Sequence, residues 1–306
     1  MSITGIDGIV YGVEDMALCR RFFTDWGLKE GVAGHFETID GAEVVLKPKD
    51  DPSLAPAFEP GSTLREGIWG VSDAAALAGI ERTLKDAGVA TTKTPDGFSC
   101  IDPCGLRISF RISRRRKVTV SGSPSNTIDQ HRRIDTPSPV YQQAEPVNIG
   151  HYVLFVPDVA PMQDFYTRLL GFHISDSYPG TGLFLRCNAE GGHHNFFLLK
   201  SPTGKAGINH VAFTVRDVHE VIGGGMQINR QGWETQLGPG RHPISSAFFW
   251  YVKAPCGGLV EYYTDEDYLT EKWQPREFEK KPEIFAEWAV TGGIDGETRR
   301  QKAKAS

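Results

Sequence analysis

Apolar and polar residues alternate through GIDGIVYGVEDM (5–16) and again through NIGHYVLFVPDV (148–159), the period-two signature of a strand. Each run ends in an acidic turn and enters a stretch with helical spacing, RRFFTDWGL in the first and QDFYTRLLGF in the second. Phe22 falls over Phe165 and Thr24 over Thr167, and a glycine closes each helix, Gly27 or Gly171. Glycine is the residue that most easily takes the left-handed C-terminal cap. REGIWGVSD (65–73) then matches NHVAFTVRD (209–217), and DPCGLRISF (102–110) matches APCGGLVEY (254–262). Three blocks in the same order predict an internal duplication. Each half reads strand, helix, several strands, strand, helix, strands, which makes the expected fold class α+β.

The length of 306 residues exceeds what one hydrophobic core usually supports, so two domains are expected. The repeat places them at 1–112 and 147–265. Residues 113–146, rich in Ser, Pro, Asn and Gln, have linker composition. A tail follows at 266–306; its Trp273, Phe278, Phe285 and Trp288 either cover a cavity or pack the tail onto the surface, and its last dozen residues are expected to fray. A net charge of −5 and a pI near 6.0 offer no footprint for nucleic acid. The basic run Arg114 to Lys117 reads as a solvated face. No segment reaches the ~20 apolar residues of a membrane span, and no secretory signal is expected. Five scattered cysteines lack the paired spacing of a zinc site, because Cys100 and Cys104 have no second pair to answer them. They read as reduced thiols in a cytoplasmic protein.

The chemistry gathers in the second half. His151 sits in IGHYVLFV, His210 in INHVAFTV and Glu261 in GLVEYY. Each is one titratable group in an apolar strand, where it must point at something that satisfies it. The repeat sharpens this, because the first half has Gly8, Glu66 and Ser109 at the matching positions. The scaffold is copied while the three special residues change together, as expected if one half carries a site and the other does not. Two imidazoles and one carboxylate form the facial triad of non-haem Fe(II) oxygenases, with open coordination positions. His193 and His194 follow a Gly-Gly pair, and alternation sends their rings to opposite faces. His242 and Tyr251 lie upstream of Glu261. Ten residues of straight strand would carry Tyr251 far from Glu261, so a bend is needed to bring the two together.

The second half resembles the catalytic domain of type I extradiol ring-cleavage dioxygenases, the 2,3-dihydroxybiphenyl 1,2-dioxygenase and catechol 2,3-dioxygenase family of the vicinal oxygen chelate superfamily. The architecture of that family covers residues 3–112 and 147–265, and its specific signal is the GRH…FY…PxG…E block. The resemblance implies tandem domains of paired βαβββ modules. It also implies Fe(II), with Mn(II) possible, held by His151, His210 and Glu261. His193 is implied as the acid–base histidine, His194 as its substitute if the register slips by one, and His242 and Tyr251 as hydrogen-bond partners of the substrate oxygens. The partners implied are a catechol-type diol and O₂, with neither nucleic acid nor membrane, in a homo-oligomer. A metal-dependent glyoxalase-like lyase or isomerase and a metal-free aromatic-binding protein are the competing readings.

Overall fold

The computed structural model describes residues 3–294, so the expected fraying of the last dozen residues lies outside the described part. The first half runs β1 (Ile3–Val13), α1 (Met16–Asp25), β2 (Lys29–Glu30), β3 (His35–Glu37), β4 (Glu43–Pro48), β5 (Thr63–Val71), α2 (Ala74–Asp86), β6 (Thr92–Thr94), β7 (Gly97–Ile101) and β8 (Arg107–Ile112). The second runs β9 (Asn148–Val156), α3 (Val159–Asp164) continued by a π-helical turn (Phe165–Leu169), β10 (His173–Tyr178), β11 (Gly182–Arg186), β12 (Gly191–Gly192), β13 (Phe196–Lys200), β14 (Gly207–Thr214), α4 (Val218–Arg230), β15 (Thr235–Arg241), β16 (Phe248–Lys253) and β17 (Leu259–Thr264). The tail adds β18 (Tyr268–Leu269), β19 (Arg276–Glu277), α5 (Pro282–Phe285) and β20 (Trp288–Thr291).

Strand order proves the repeat. The first sheet runs β2-β3-β4-β1-β5-β8-β7-β6, and the second carries β10-β11-β13-β9-β14-β17-β16-β15 in the same places, with β19 and β20 added at its edges. Each sheet is two βαβββ modules, β1 to β4 with β5 to β8, and β9, β10, β11 and β13 with β14 to β17, while β12 stands apart and pairs with β18. The module strands meet at an antiparallel central pair, β1 with β5 and β9 with β14. The acidic turns explain how each module enters its helix. Asp15, Asp73, Asp158 and Asp217 each accept a backbone N–H of the first helical turn, at 2.8 to 3.1 Å. A side-chain oxygen in that place satisfies a donor the helix cannot.

The halves share one core. Trp26 stacks on Tyr262 with ring centroids 3.6 Å apart, and the Tyr262 hydroxyl donates to the Trp26 carbonyl at 2.7 Å. Trp69 packs against Tyr152 and Phe172 across the same junction. The segment 113–146 forms no helix or strand, but it is anchored. Arg115 pairs with the fully buried Asp7 at 3.0 Å, and Ala144 is buried. The basic run is therefore solvated at Arg114 and Arg116, which are more than half exposed, while Arg115 turns inward to pair with Asp7. No described helix is long and apolar enough to cross a membrane.

Candidate active site

Register places the site. His151 on β9 lies opposite Ala212 on β14, and Ala212 in turn lies opposite Glu261 on β17. His210 is two residues from Ala212 on the same face of β14, so three neighbouring strands present their polar side chains to one point. In the first half, Gly8 pairs with Ile68 and Ile68 with Ser109, which confirms the match of Gly8, Glu66 and Ser109 to His151, His210 and Glu261. There Ser109 donates to Glu66, and Arg107 stands 3.7 Å from the same carboxylate. That half has turned the site into a structural hydrogen bond.

In the second half three donor atoms converge. His151 Nε2, His210 Nε2 and Glu261 Oε2 lie 3.2 Å from one another on every edge. An edge of that length is spanned by two ligand atoms at right angles about one ion with bonds of about 2.3 Å, near the ~2.0–2.2 Å of imidazole and carboxylate on zinc. The trio is the group of metal-capable side chains found among the described residues. Glu261 Oε2 is buried with no hydrogen-bond partner, a costly state for a carboxylate oxygen unless a cation meets it. The donor set fits a divalent metal. His210 Nδ1–H donates to Asn209 Oδ1 at 2.6 Å, which leaves Nε2 bare and aims its lone pair, as ligating histidines require.

Burial disfavours the charged form of Glu261, but the imidazoles of His151, His210 and His242 outweigh it and hold its carboxyl well below the usual range. Burial pushes the His151 imidazole down to about 4, against the pull of Glu261. Burial likewise holds His194 well below the ordinary histidine value. All three groups therefore stand ready as ligands or bases at neutral pH. Burial also raises the Tyr251 hydroxyl well above its usual value, with the Glu261 charge adding to the effect, so Tyr251 is a phenol and not a tyrosinate.

A cavity of about 490 Å³ opens over the trio. Its walls include Tyr178, Phe184, Phe197 and Ile244, and Phe285 from the tail. Of the two tail readings, the one in which aromatics cover a cavity therefore holds for Phe285. Trp273 instead packs under Arg276, and Trp288 is exposed beside Phe248.

The two adjacent histidines face different ways. His194 lines the cavity, its ring 4.1 Å from that of His151. His193, the expected acid–base residue, is turned away and fully buried, with Nε2 3.0 Å from Asp176. The two rings take opposite faces, and of the two expected candidates it is His194, not His193, that faces the cavity. His242 and Tyr251 both line the cavity, with His242 Nε2 3.1 Å from the Tyr251 hydroxyl. His242 Nδ1–H donates to the Phe285 carbonyl at 2.6 Å, so its Nε2 accepts and Tyr251 donates. The expected bend between Tyr251 and Glu261 is a full reversal: β16 and β17 form a hairpin and the two residues face each other across it. Sequence reasoning missed Asn209, which could have been noticed beside His210, and Asp176, Glu266 and Arg276, which carry no sequence signal.

Residues 148–262 match the model of the Glyoxalase/Bleomycin resistance protein/Dioxygenase superfamily. The second half is thus similar to a domain of this superfamily, and its module order and metal-capable trio agree with that likeness. Metapyrocatechase 2 of Cupriavidus necator is 28% identical over 298 residues, covering 93% of this chain and 88% of the relative. The 3-methylcatechol 2,3-dioxygenase of Pseudomonas putida is also 28% identical, covering 89% and 94%. Among solved structures, the Mn(II)-bound glyoxalase from Novosphingobium aromaticivorans superposes with a TM-score of 0.74 at 23% identity, over 95% of this chain and 93% of that one. Other relatives are a biphenyl-2,3-diol 1,2-dioxygenase of Pseudomonas sp. and an iron-dependent extradiol dioxygenase of Rhodococcus jostii, and a catechol 2,3-dioxygenase is among the structural neighbours.

Proposed function

We propose that the protein is an iron(II)-dependent extradiol dioxygenase that opens the ring of a catechol-type diol beside its hydroxyls and incorporates both atoms of O₂. The observation that carries this is the triangle of His151, His210 and Glu261 donor atoms at the floor of an apolar-walled cavity. Three protein ligands leave room for both diol oxygens and O₂, and the donor type suits Fe(II), with Mn(II) able to occupy the same set. When bound, ferrous iron supplies the one-electron chemistry that lets O₂ react with a diolate.

The chain's own groups do the rest. The apolar walls hold the ring flat and keep bulk water from the reacting carbons. Tyr251 and His242 stand beside Glu261, placed to hydrogen-bond a diol oxygen and take its proton through the Tyr251-to-His242 bond. His194, neutral beside His151, accepts or returns a proton on the opposite flank. We infer further that the protein works as a homo-oligomer in the cytoplasm, a compartment that suits five unpaired cysteines. The assignment is tested by iron content. Glu261→Gln, which keeps the shape and removes the charge, is expected to fold with its far-ultraviolet circular dichroism unchanged and to lose bound iron and diol cleavage together. One iron per chain with full turnover in that variant would refute the ligand set. Lyase chemistry is separated by oxygen, since turnover that persists without O₂ would favour it.

A further inference from the structure

Behind His194 lies a buried chain of polar groups that leads out to the tail. His194 Nδ1 is 3.2 Å from His193 Nδ1, and His193 Nε2 is 3.0 Å from Asp176 Oδ2. His193 and Asp176 are both fully buried. Asp176 is gripped from the other side by Arg276 of β19, whose guanidinium reaches Oδ2 at 2.7 Å and whose backbone N–H reaches Oδ1 at 2.8 Å. Arg276 also donates to the Ile244 carbonyl at 2.7 Å and lies over the rings of Trp273 and Phe278. The His193 backbone N–H is fixed in turn by Glu266 Oε2 at 2.9 Å. This is an extensive polar investment around a histidine that does not itself reach the cavity.

The donors and acceptors admit one arrangement while both rings are neutral. Burial disfavours ionisation of Asp176, but the His193 and Arg276 hydrogen bonds prevail and hold it below the usual carboxylate range. As a carboxylate it only accepts, so His193 Nε2 carries the proton. His193 Nδ1 is then bare and must accept from His194 Nδ1–H. That leaves His194 Nε2, the nitrogen with no protein partner in a residue that lines the cavity, bare and open to substrate. From this geometry we propose that His193, Asp176 and Arg276 are positioning residues that set the tautomer of His194, so that the tail strand β19 completes the catalytic base. The inference rests on the proposed role of His194 in ring cleavage and goes beyond it by assigning the base's orientation to a remote strap. The logic is that of a base held by an acceptor behind it, where the wrong tautomer disables the base without moving it.

The test reads the tautomer directly. The full-length protein, labelled with ¹⁵N-histidine and loaded with Zn(II) as a diamagnetic occupant of the same ligands, is examined by long-range ¹H–¹⁵N correlation, with signals assigned from His193→Gln and His194→Gln. In the wild type, His194 is expected to show a protonated Nδ1 and a bare Nε2; a protonated Nε2 would overturn the proposal without any variant. In Asp176→Asn, whose side chain can donate as well as accept, the His194 signals are expected to split between tautomers. The iron-loaded form of that variant should lose about 10–10²-fold in kcat with KM for the diol and iron content unchanged, the scale of an impaired acid–base group. Unchanged His194 signals with wild-type kcat would refute the proposal, as would a loss of kcat that simply tracks lost iron. Because the tautomer is read without turnover, failure of the dioxygenase reading would appear separately, as a wild type that cleaves no diol.

Discussion

Replacing His194 with alanine removes the imidazole nitrogen open to the cavity while leaving His151, His210 and Glu261 in place. The expected result is normal iron content and a kcat lower by about 10²–10⁴-fold. His193→Ala is expected to cost only about tenfold, because it frees the tautomer of His194 without removing the base. Steady-state kinetics on the two iron-loaded variants checks the order; equal losses, or the reverse order, would contradict the placement of His194 on the cavity face. These two residues also show where the sequence stopped being informative. Alternation predicts opposite faces for adjacent side chains, but which face holds the cavity depends on register, and the pair sits in an irregular segment before β13. The metal-capable trio was legible because the repeat supplied a control: Gly8, Glu66 and Ser109 occupy the same lattice positions without the chemistry. The approach of Tyr251 to Glu261 was legible only as the need for a bend, since a straight strand of ten residues would separate the two. A turn around Gly257 and Gly258, both at positive φ, folds Tyr251 back onto Glu261.

At the scale of elements, α4 shows how a helix can be chosen against its own propensity. The run Gly223-Gly224-Gly225 in a helix interior costs about 1 kcal/mol per residue relative to alanine. The structure explains the expense, since a Cβ on Gly225 would lie 2.0 Å from the buried Trp250 ring and one on Gly223 2.3 Å from the Tyr141 carbonyl. These glycines let α4 lie flat on β16, the strand that carries Tyr251, and let the 113–146 segment run over the helix. Gly225→Ala is therefore expected to destabilise the fold by about 1–3 kcal/mol, the usual cost of overpacking, although it improves helix propensity. Chemical denaturation checks this, and a rise in stability would mean that the helix has room to shift. The elements themselves were largely readable from the sequence: the four Asp-capped helices follow the acidic turns, and the strands follow the alternation. Strands β19 and β20 were not, because the short segments of the tail become strands only by pairing with the edges β10 and β15.

Across the whole molecule, a cluster of buried neutral histidines should make the metal-free protein acid-sensitive. Burial lowers His151 to about 4 and holds His194 well below the unfolded value. An unfolded chain protonates these rings near pH 6.5 while the folded chain resists, so their contribution to stability is full above pH 6.5 and is lost as pH falls toward 4. Glu266 opposes this: burial raises it to about 7, so it costs stability as pH rises from about 4.5 to 7. Burial also lowers His173 and raises Asp40 and Asp102, so the share of one ring in the fall of the denaturant midpoint of the metal-free protein between pH 6.5 and 4 is read by difference. The fall should be shallower in His194→Gln, and an equally steep fall would show that the ring is not held neutral by its surroundings. Bound metal should flatten the same curve, because it occupies His151 and Glu261 in their deprotonated forms.

The central claim, that this two-sheet scaffold holds ferrous iron to open a diol ring beside its hydroxyls, is tested most directly by the product. The protein is loaded with Fe(II) under anaerobic conditions and mixed with catechol, O₂ is admitted, and the product is identified by mass and absorption together with oxygen uptake. The account predicts one O₂ consumed per diol and a yellow ring-opened semialdehyde cut beside the hydroxyl pair, formed by a colourless resting enzyme. A muconate cut between the hydroxyls, or catechol recovered intact with no oxygen consumed by protein that holds one iron per chain, would contradict it.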